Sequence, residues 1–312
     1  MTPSLELISD EERTINISSH EILCFLKVRN EMTRLPSVIN HHRALGIDRF
    51  FIIDNGSEDE TLSFLKEQPD VAVFSANQDF KYSSSGMNWI CFLMDEFANG
   101  RWCLIIDADE LFVYPNCESK GIKDLCLFLD ERGYGCVAAT MIDMYSTKPV
   151  CETSYKSGES LINTCQYFDS DNYKVFTSKY IPLFAIYGGP RQRSFWDKSD
   201  IMSSPCLSKV PLVKWENGYN YLASTHFMSC GPQKLSQLTS ALLHFKFLDD
   251  FYQRASMEAK REQLWNNASE YKRYFMKMEE DRNLSLFHSG SKKYDSSLTL
   301  VKYELIRSEL GW

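Results

Sequence analysis

Residues 102–115 read Trp-Cys-Leu-Ile-Ile-Asp-Ala-Asp-Glu-Leu-Phe-Val-Tyr-Pro, three acids set between two apolar runs. An unpaired charge between buried segments is costly, so Asp107, Asp109 and Glu110 require solvent, cationic partners or a ligand. The run at 102–106 has the character of a buried strand and delivers Asp107 at its carboxyl end. There, side chains two apart point to the same side, so Asp107 and Asp109 can reach one hard cation or an ion-bound diphosphate, with Ala108 between them. Asp-x-Asp alone is a weak signal, because acids cluster on most surfaces; the apolar flanks strengthen it.

Upstream, the same pattern recurs. Residues 22–28 (ILCFLKV) form a short apolar run that stops at Arg29-Asn30-Glu31. A helix follows, with Pro36 in its first turn, Leu35, Val38, Ile39, His42 and Leu45 at helical spacing, and Gly46 to end it. The run RFFIID is a second strand, ending at Asp54. Ser57 and Glu60 make a capping-box pattern that opens another helix. Val71–Phe74 is a third strand, and Trp89, Ile90, Leu93 and Phe97 mark a helix before the strand at 102–106. This alternation predicts an α/β fold, a Rossmann-like, mostly parallel central sheet flanked by helices, with ligands beyond the strands' carboxyl ends. Arg29, Asn30, Glu31, Asp54, Asn55 and Ser57 fall at those ends and are candidate donor-binding residues. A strand-to-helix turn with good capping explains Asn55 and Ser57 equally well.

Downstream the pattern loosens. A polar, aromatic-rich stretch at 146–179 is expected to be loop and acceptor-side surface. Strand-like runs return at 183–187, 210–213, 221–227 and 241–247. Residues 187–193 (YGGPRQR) are expected to form a turn whose Arg191 and Arg193 close over a diphosphate, with an exposed basic loop as the bland alternative. His226 and His244 sit in apolar runs; such histidines are more often core residues than ligands, yet either could complete a metal shell. A base for an acceptor hydroxyl has candidates in Asp143, which leads on its position at the end of the strand 137–143, and in Glu152 or Glu159 of the loop after it. Residues 249–280 read as one or two exposed helices. The expected organisation is a catalytic domain at 1–248, with a nucleotide half at about 20–115 and an acceptor half at 116–248, then a helical extension at 249–312.

The 312 residues carry a formal net charge of −8, which gives no electrostatic footprint for nucleic acid. The ten cysteines sit singly within apolar runs, without Cys-x-x-Cys, and read as reduced core residues. The first twenty residues show no secretory signal, and no window is apolar enough to span a bilayer. The expectation is therefore a cytoplasmic protein, with peripheral association at the inner membrane face left open by the mixed charges of the helical tail.

Taken together, RNEMTRLPSVINHHRALGIDRFFIIDNGSEDET followed by LIIDADELFVYP resembles the family-2-like glycosyltransferases of the GT-A fold, in a bacterial branch tied to polysaccharide or lipopolysaccharide biosynthesis that also carries a late LLHFK segment. The resemblance is strong over 22–115 and weaker through IDMY, YGGPRQR, VPLVKW, STHF and LLHFKF. It implies transfer, with inversion, from a nucleotide-sugar donor, a UDP-sugar by the family's habit, to a glycan or lipid-linked acceptor. It places Mn²⁺ or Mg²⁺ and the diphosphate on Asp107 and Asp109, the nucleoside on Asp54, and a metal-ligating histidine at His226 or His244. The acid pair typical of the family's base has no obvious counterpart after residue 140. A nucleotidyltransferase would want a glycine-rich loop after the first strand, which RNEMTRLP lacks. A dinucleotide oxidoreductase would need Gly-x-Gly-x-x-Gly, which is absent. A non-catalytic relic binding a sugar nucleotide or a partner protein is the reading from a different class.

Overall fold

The computed structural model describes residues 3–76, 80–177, 184–197, 199–222 and 224–312. Nine strands form the central sheet: β1 (Leu5–Leu7), β2 (Leu23–Val28), β3 (Arg49–Asp54), β4 (Val71–Ala76), β5 (Trp102–Ile105), β6 (Glu110–Val113), β7 (Cys136–Asp143), β8 (Ser208–Lys214) and β9 (Ser240–His244), in the order β1-β4-β3-β2-β5-β8-β7-β9-β6. The pairs β4–β3, β3–β2, β2–β5 and β7–β9 are parallel. Because β8 runs antiparallel to both β5 and β7, those two point the same way. Six strands thus share one direction, and β1, β8 and β6 oppose them. This is the mostly parallel, helix-flanked sheet that the alternation predicts.

Helices α1 (Leu35–Leu45), α2 (Thr61–Lys66), α3 (Met87–Phe97) and α4 (Ile122–Glu131) connect the strands and cover them. Pro36 sits in the first turn of α1, and Gly46 ends it at φ 103°, a conformation glycine adopts without steric cost. Fully buried Val, Ile, Leu and Phe on both faces of β2, β3 and β5 account for their unbroken apolar runs. One core cluster joins α1 and α4 to one face; a second joins α3, Trp89 and Trp215 to the other.

The sequence expectations differ from the structure in particular places. Ser57 does not cap α2; its Oγ accepts from the Asn30 N–H at 3.0 Å, and α2 begins at Thr61 without a side-chain cap. The stretch at 187–193 is not a loop. Strand Phe184–Gly188 pairs antiparallel with Tyr173–Thr177, and α6 (Gly189–Phe195) begins at once, with Pro190 where a first turn favours it. Leu183 and residues 178–179 of the stretch expected as loop lie outside the described residues, as does Ala223 of the run at 221–227. Short helix α5 (Leu161–Thr164) and a strand at Tyr167–Phe168 add structure to the expected loop. The tail forms α7 (Phe251–Arg261) and α8 (Trp265–Glu280), which pack Phe251, Ala255, Tyr274 and Met278 against Tyr145, Val150, Phe195 and Phe247. Helix α9 (Ser297–Lys302) places Leu300 in the main core.

Candidate functional site at the strand ends

The carboxyl ends of the co-directional strands bring Arg29, Asp54, Asp107, Asp143 and His244 to one edge of the sheet. Register fixes the central contact: His244 lies opposite Asp143 across the parallel β9–β7 pair and opposite Glu110 across the antiparallel β9–β6 pair. Same-register side chains on neighbouring strands share a face. His244 Nδ1 is 2.6 Å from Asp143 Oδ1, and its Nε2 is 3.3 Å from Asp109 Oδ2. Asp143 is fully buried, and its second oxygen accepts from Arg191 Nε at 2.8 Å.

The charges respond to this packing. Burial raises the Asp143 carboxyl, but Arg191 and His244 outweigh it and hold it below its ordinary value. For Asp109, burial is likewise overcome, chiefly by His244, and the carboxyl lies well below its ordinary value. Burial depresses His244, yet Asp109 and Asp143 together lift it above 6.5. A line of alternating charge therefore runs Asp109–His244–Asp143–Arg191.

Asp107 and Glu110 find cations that sequence reasoning missed. Asp107 Oδ1 accepts from Lys27 Nζ at 3.0 Å and Oδ2 from Lys209 Nζ at 2.7 Å; Lys209 also donates to Glu110 Oε1 at 2.5 Å. Glu110 is fully buried and its Oε2 accepts the Asp107 backbone N–H. Lys27 and Lys209 each stand in an apolar strand, a placement unusual enough to have been a signal.

The expected donor-binding turns are fastened to one another. Asn30, in the left-handed region at φ 53°, accepts from the Glu58 N–H, and the Glu31 N–H donates to Thr61 Oγ1 at 2.9 Å. Glu31 itself is held by Arg254 of α7 in a two-pronged ion pair at 2.6 and 2.9 Å. Arg29 donates to Asn55 O and pairs with Glu58, and Arg261 of α7 donates to Asn55 Oδ1 at 3.5 Å. Asp54 accepts the Gly56 and Ser57 N–H groups on Oδ2, while its buried Oδ1 has no partner among the described residues. A buried carboxylate oxygen without a donor is costly unless a ligand supplies one.

Arg191 is 3% exposed, in α6, and reaches Glu270 of α8 at 3.5 Å as well as Asp143. Lys246 Nζ also meets Glu270, at 3.2 Å, and Tyr274 donates to the same carboxylate. Burial raises Glu270, but Lys246 and Arg191 bring it down to about 2. Arg193 points elsewhere, into Asp169 and the Leu286 carbonyl. His226 holds Ser208 O at 2.7 Å, and no contact among the described residues joins it to Asp107, Asp109 or His244. Glu152 and Glu159 are exposed; Ser157, between them in sequence, donates to Met32 O at 2.7 Å, which lays this segment beside the turn at 29–32.

Two of the expected metal ligands fit a cation. With Nδ1–H given to Asp143, the His244 Nε2 lone pair converges with Asp109 Oδ2, the carboxylate–histidine arrangement that orients a metal-ligating imidazole. Asp107 fits less well, since lysines take both its oxygens. No group of three or more His, Cys, Asp or Glu able to hold an ion occurs among the described residues, so a bound ion would draw its other ligands from phosphate and water, as Mg²⁺ commonly does.

No family model matches the sequence, and no curated protein matches it. Among solved structures, the chain is similar to residues 1–349 of Staphylococcus aureus TarS, at 15% identity over 46% of this chain and 48% of that one, TM-score 0.30. It is also similar to glucosyl-3-phosphoglycerate synthase from Mycobacterium tuberculosis in complex with Mn²⁺, UDP and phosphoglyceric acid, at 15% identity over 43% and 45%, TM-score 0.25. UTP-bound UGPase from Acinetobacter baumannii matches at 9% identity over 91% of this chain and 92% of that one, TM-score 0.31. The chain spans about half the length of the first two. Superpositions this loose assign no chemistry, which rests on the site itself.

Proposed function

We propose that this chain is a glycosyltransferase that moves a sugar from a nucleotide-sugar donor to a glycan or lipid-linked acceptor, with a divalent cation at the donor. The observation that carries the reading is the line Asp109–His244–Asp143–Arg191 at the carboxyl ends of a mostly parallel sheet. Asp109 and His244 would hold Mn²⁺ or Mg²⁺. The cation, when bound, neutralises the diphosphate and stabilises the departing nucleoside diphosphate as a Lewis acid.

The other residues bind and orient. Asp54 Oδ1, buried without a partner among the described residues, accepts from the nucleoside. Arg29, half-buried, offers donors at the same edge. Lys27 and Lys209 fix Asp107 and Glu110 and place positive charge next to the diphosphate. Asp143 positions His244; with both oxygens engaged and no exposure it is not open to an acceptor hydroxyl, so the proposed base shifts to Glu152 or Glu159. Transfer with inversion accords with a carboxylate that takes the hydroxyl proton as the new bond forms.

One observation favours a second reading, a non-catalytic nucleotide binder: Lys27 and Lys209 already supply the charge that a metal would bring to Asp107. Calorimetric titration of UDP, GDP and CMP, with and without Mn²⁺, on the wild type, Asp109→Ala and His244→Ala separates the two. Metal-dependent binding lost in both variants supports the transferase; equal binding without metal supports the binder; no binding by any nucleotide refutes the donor site.

A further inference from the structure

All ten cysteines are free thiols. Cys136 and Cys230 differ: their sulfurs lie 3.0 Å apart, inside van der Waals contact, although 94 residues separate them in sequence. Cys136 opens β7 and is buried, and its strand is bridged to the Lys234–Ser236 segment, where the Ser236 N–H donates to Cys136 O at 2.9 Å. Cys230 follows the short hairpin Tyr221–Leu222 and Phe227–Met228, is half-buried, and is thus the member of the pair open to a reagent. The backbone on both sides is held: the Gly135 N–H donates to Lys234 O at 2.7 Å, and the Ser229 N–H to Asn220 O at 2.9 Å.

We propose that Cys136 and Cys230 are a built-in disulfide site, closed by a small disulfide oxidant such as oxidised glutathione. The oxidant is attacked by the Cys230 thiolate, releasing one small thiol and leaving a mixed disulfide on Cys230. Cys136 then gives up its proton and displaces the second small thiol, so two protein thiols lose two electrons to one oxidant disulfide. The hydrogen bond from Cys136 and the nearby Lys234 cation favour the Cys230 thiolate, which makes it the first nucleophile; Cys136, buried and facing it, is the resolving thiol.

The bond would tie the hairpin at 221–231, with His226 on it, to the amino end of β7. That end is the opposite one from Asp143 on an eight-residue strand, so closure does not touch the proposed donor site. A cross-link that closes a loop of this length removes much unfolded-chain freedom, and the expected rise in Tm is about 5 °C or more.

The test is to expose the full-length protein to oxidised glutathione, block remaining thiols with iodoacetamide, and map peptides without reduction. The expected result is a Cys136–Cys230 cross-link, a chain lighter by two hydrogens, a raised Tm that dithiothreitol reverses, and a glutathione adduct trapped on Cys230 in Cys136→Ala. Cys230→Ser should show neither the cross-link nor the Tm rise. Exposed Cys151 is the internal control. Glutathione on Cys151 alone with Cys136 and Cys230 both alkylated, or a different cysteine pair joined first, would overturn the proposal.

Discussion

Arg34 sits fully buried at the start of α1 and grips Asp250 through both guanidinium arms, at 2.7 and 2.6 Å, while its Nε donates to Phe245 O at 2.8 Å. The carbonyls it holds belong to the residues that follow His244, so one side chain from the first helix fixes the end of β9 and the start of α7. Arg34→Met leaves the Asp250 carboxylate and the Phe245 carbonyl without the donors Arg34 supplies, while the Lys246 carbonyl keeps the Leu248 N–H. The expected loss is about 3–5 kcal/mol of stability, read as a fall in the denaturant midpoint with an unchanged slope.

Asp143→Asn keeps an acceptor for His244 but removes the charge that orients it and pairs Arg191. Loss of such a supporting carboxylate costs about 10–100-fold in metal affinity. Mn²⁺-dependent UDP binding should weaken by that factor while metal-free binding stays unchanged. Equal weakening in both conditions would show that Asp143 acts on the fold rather than on His244.

Metal binding should depend on pH through His244. Asp109 and Asp143 lift its pKa above 6.5, and the protonated ring has no lone pair for a cation, so Mn²⁺-dependent affinity rises as pH rises through that lifted value. Without metal the sign reverses. The charged ring's contribution to stability is fully present below 6.5, the unfolded value, and is lost as pH rises through the folded one. His244→Gln should flatten both profiles above 6.5.

Glu270 carries the opposite dependence. Its carboxyl is lowered to about 2 by Lys246 and Arg191, so its contribution is present above the ordinary value of 4.5 and is lost as pH falls towards 2. Glu270→Gln should lower stability at pH 7 and reduce the acid sensitivity of Tm below pH 4.5. A third of the side chain is exposed, which keeps the effect to about 1–2 kcal/mol.

Asp54→Asn preserves an oxygen for the Gly56 and Ser57 N–H groups but neutralises the acceptor at Oδ1. If that oxygen receives a nucleoside donor, UDP affinity should fall about 10-fold or more, with its Mn²⁺ dependence intact. An unaltered affinity would remove the nucleoside from Asp54.

From Leu23 to Asp107 the order of strands and helices was legible because each strand is a short apolar run closed by polar residues, and the Pro36 and Gly46 signals are local; the three-residue edge strand β1 carries too short a pattern to be read. The central place of 240–244 was not, since a five-residue apolar run carries no information about its neighbours; only the β7 and β6 registers put His244 between Asp143 and Asp109. Helix α6 escaped notice because two glycines mask a start that Pro190 favours. The cationic partners Lys27 and Lys209 stand 80 and 102 residues from Asp107, beyond any local pattern.

What the sequence determined alone was the alternation that builds the sheet and the acids that its fourth helix-linked strand delivers, both written in residues a few positions apart. What the tertiary structure decided was the charge state and partner of each acid: Asp107 with lysines, Asp109 with His244, Asp143 locked behind both. Those depend on strands and helices distant in the chain, because the energy of a buried charge is set by whatever folding places within hydrogen-bond reach of it.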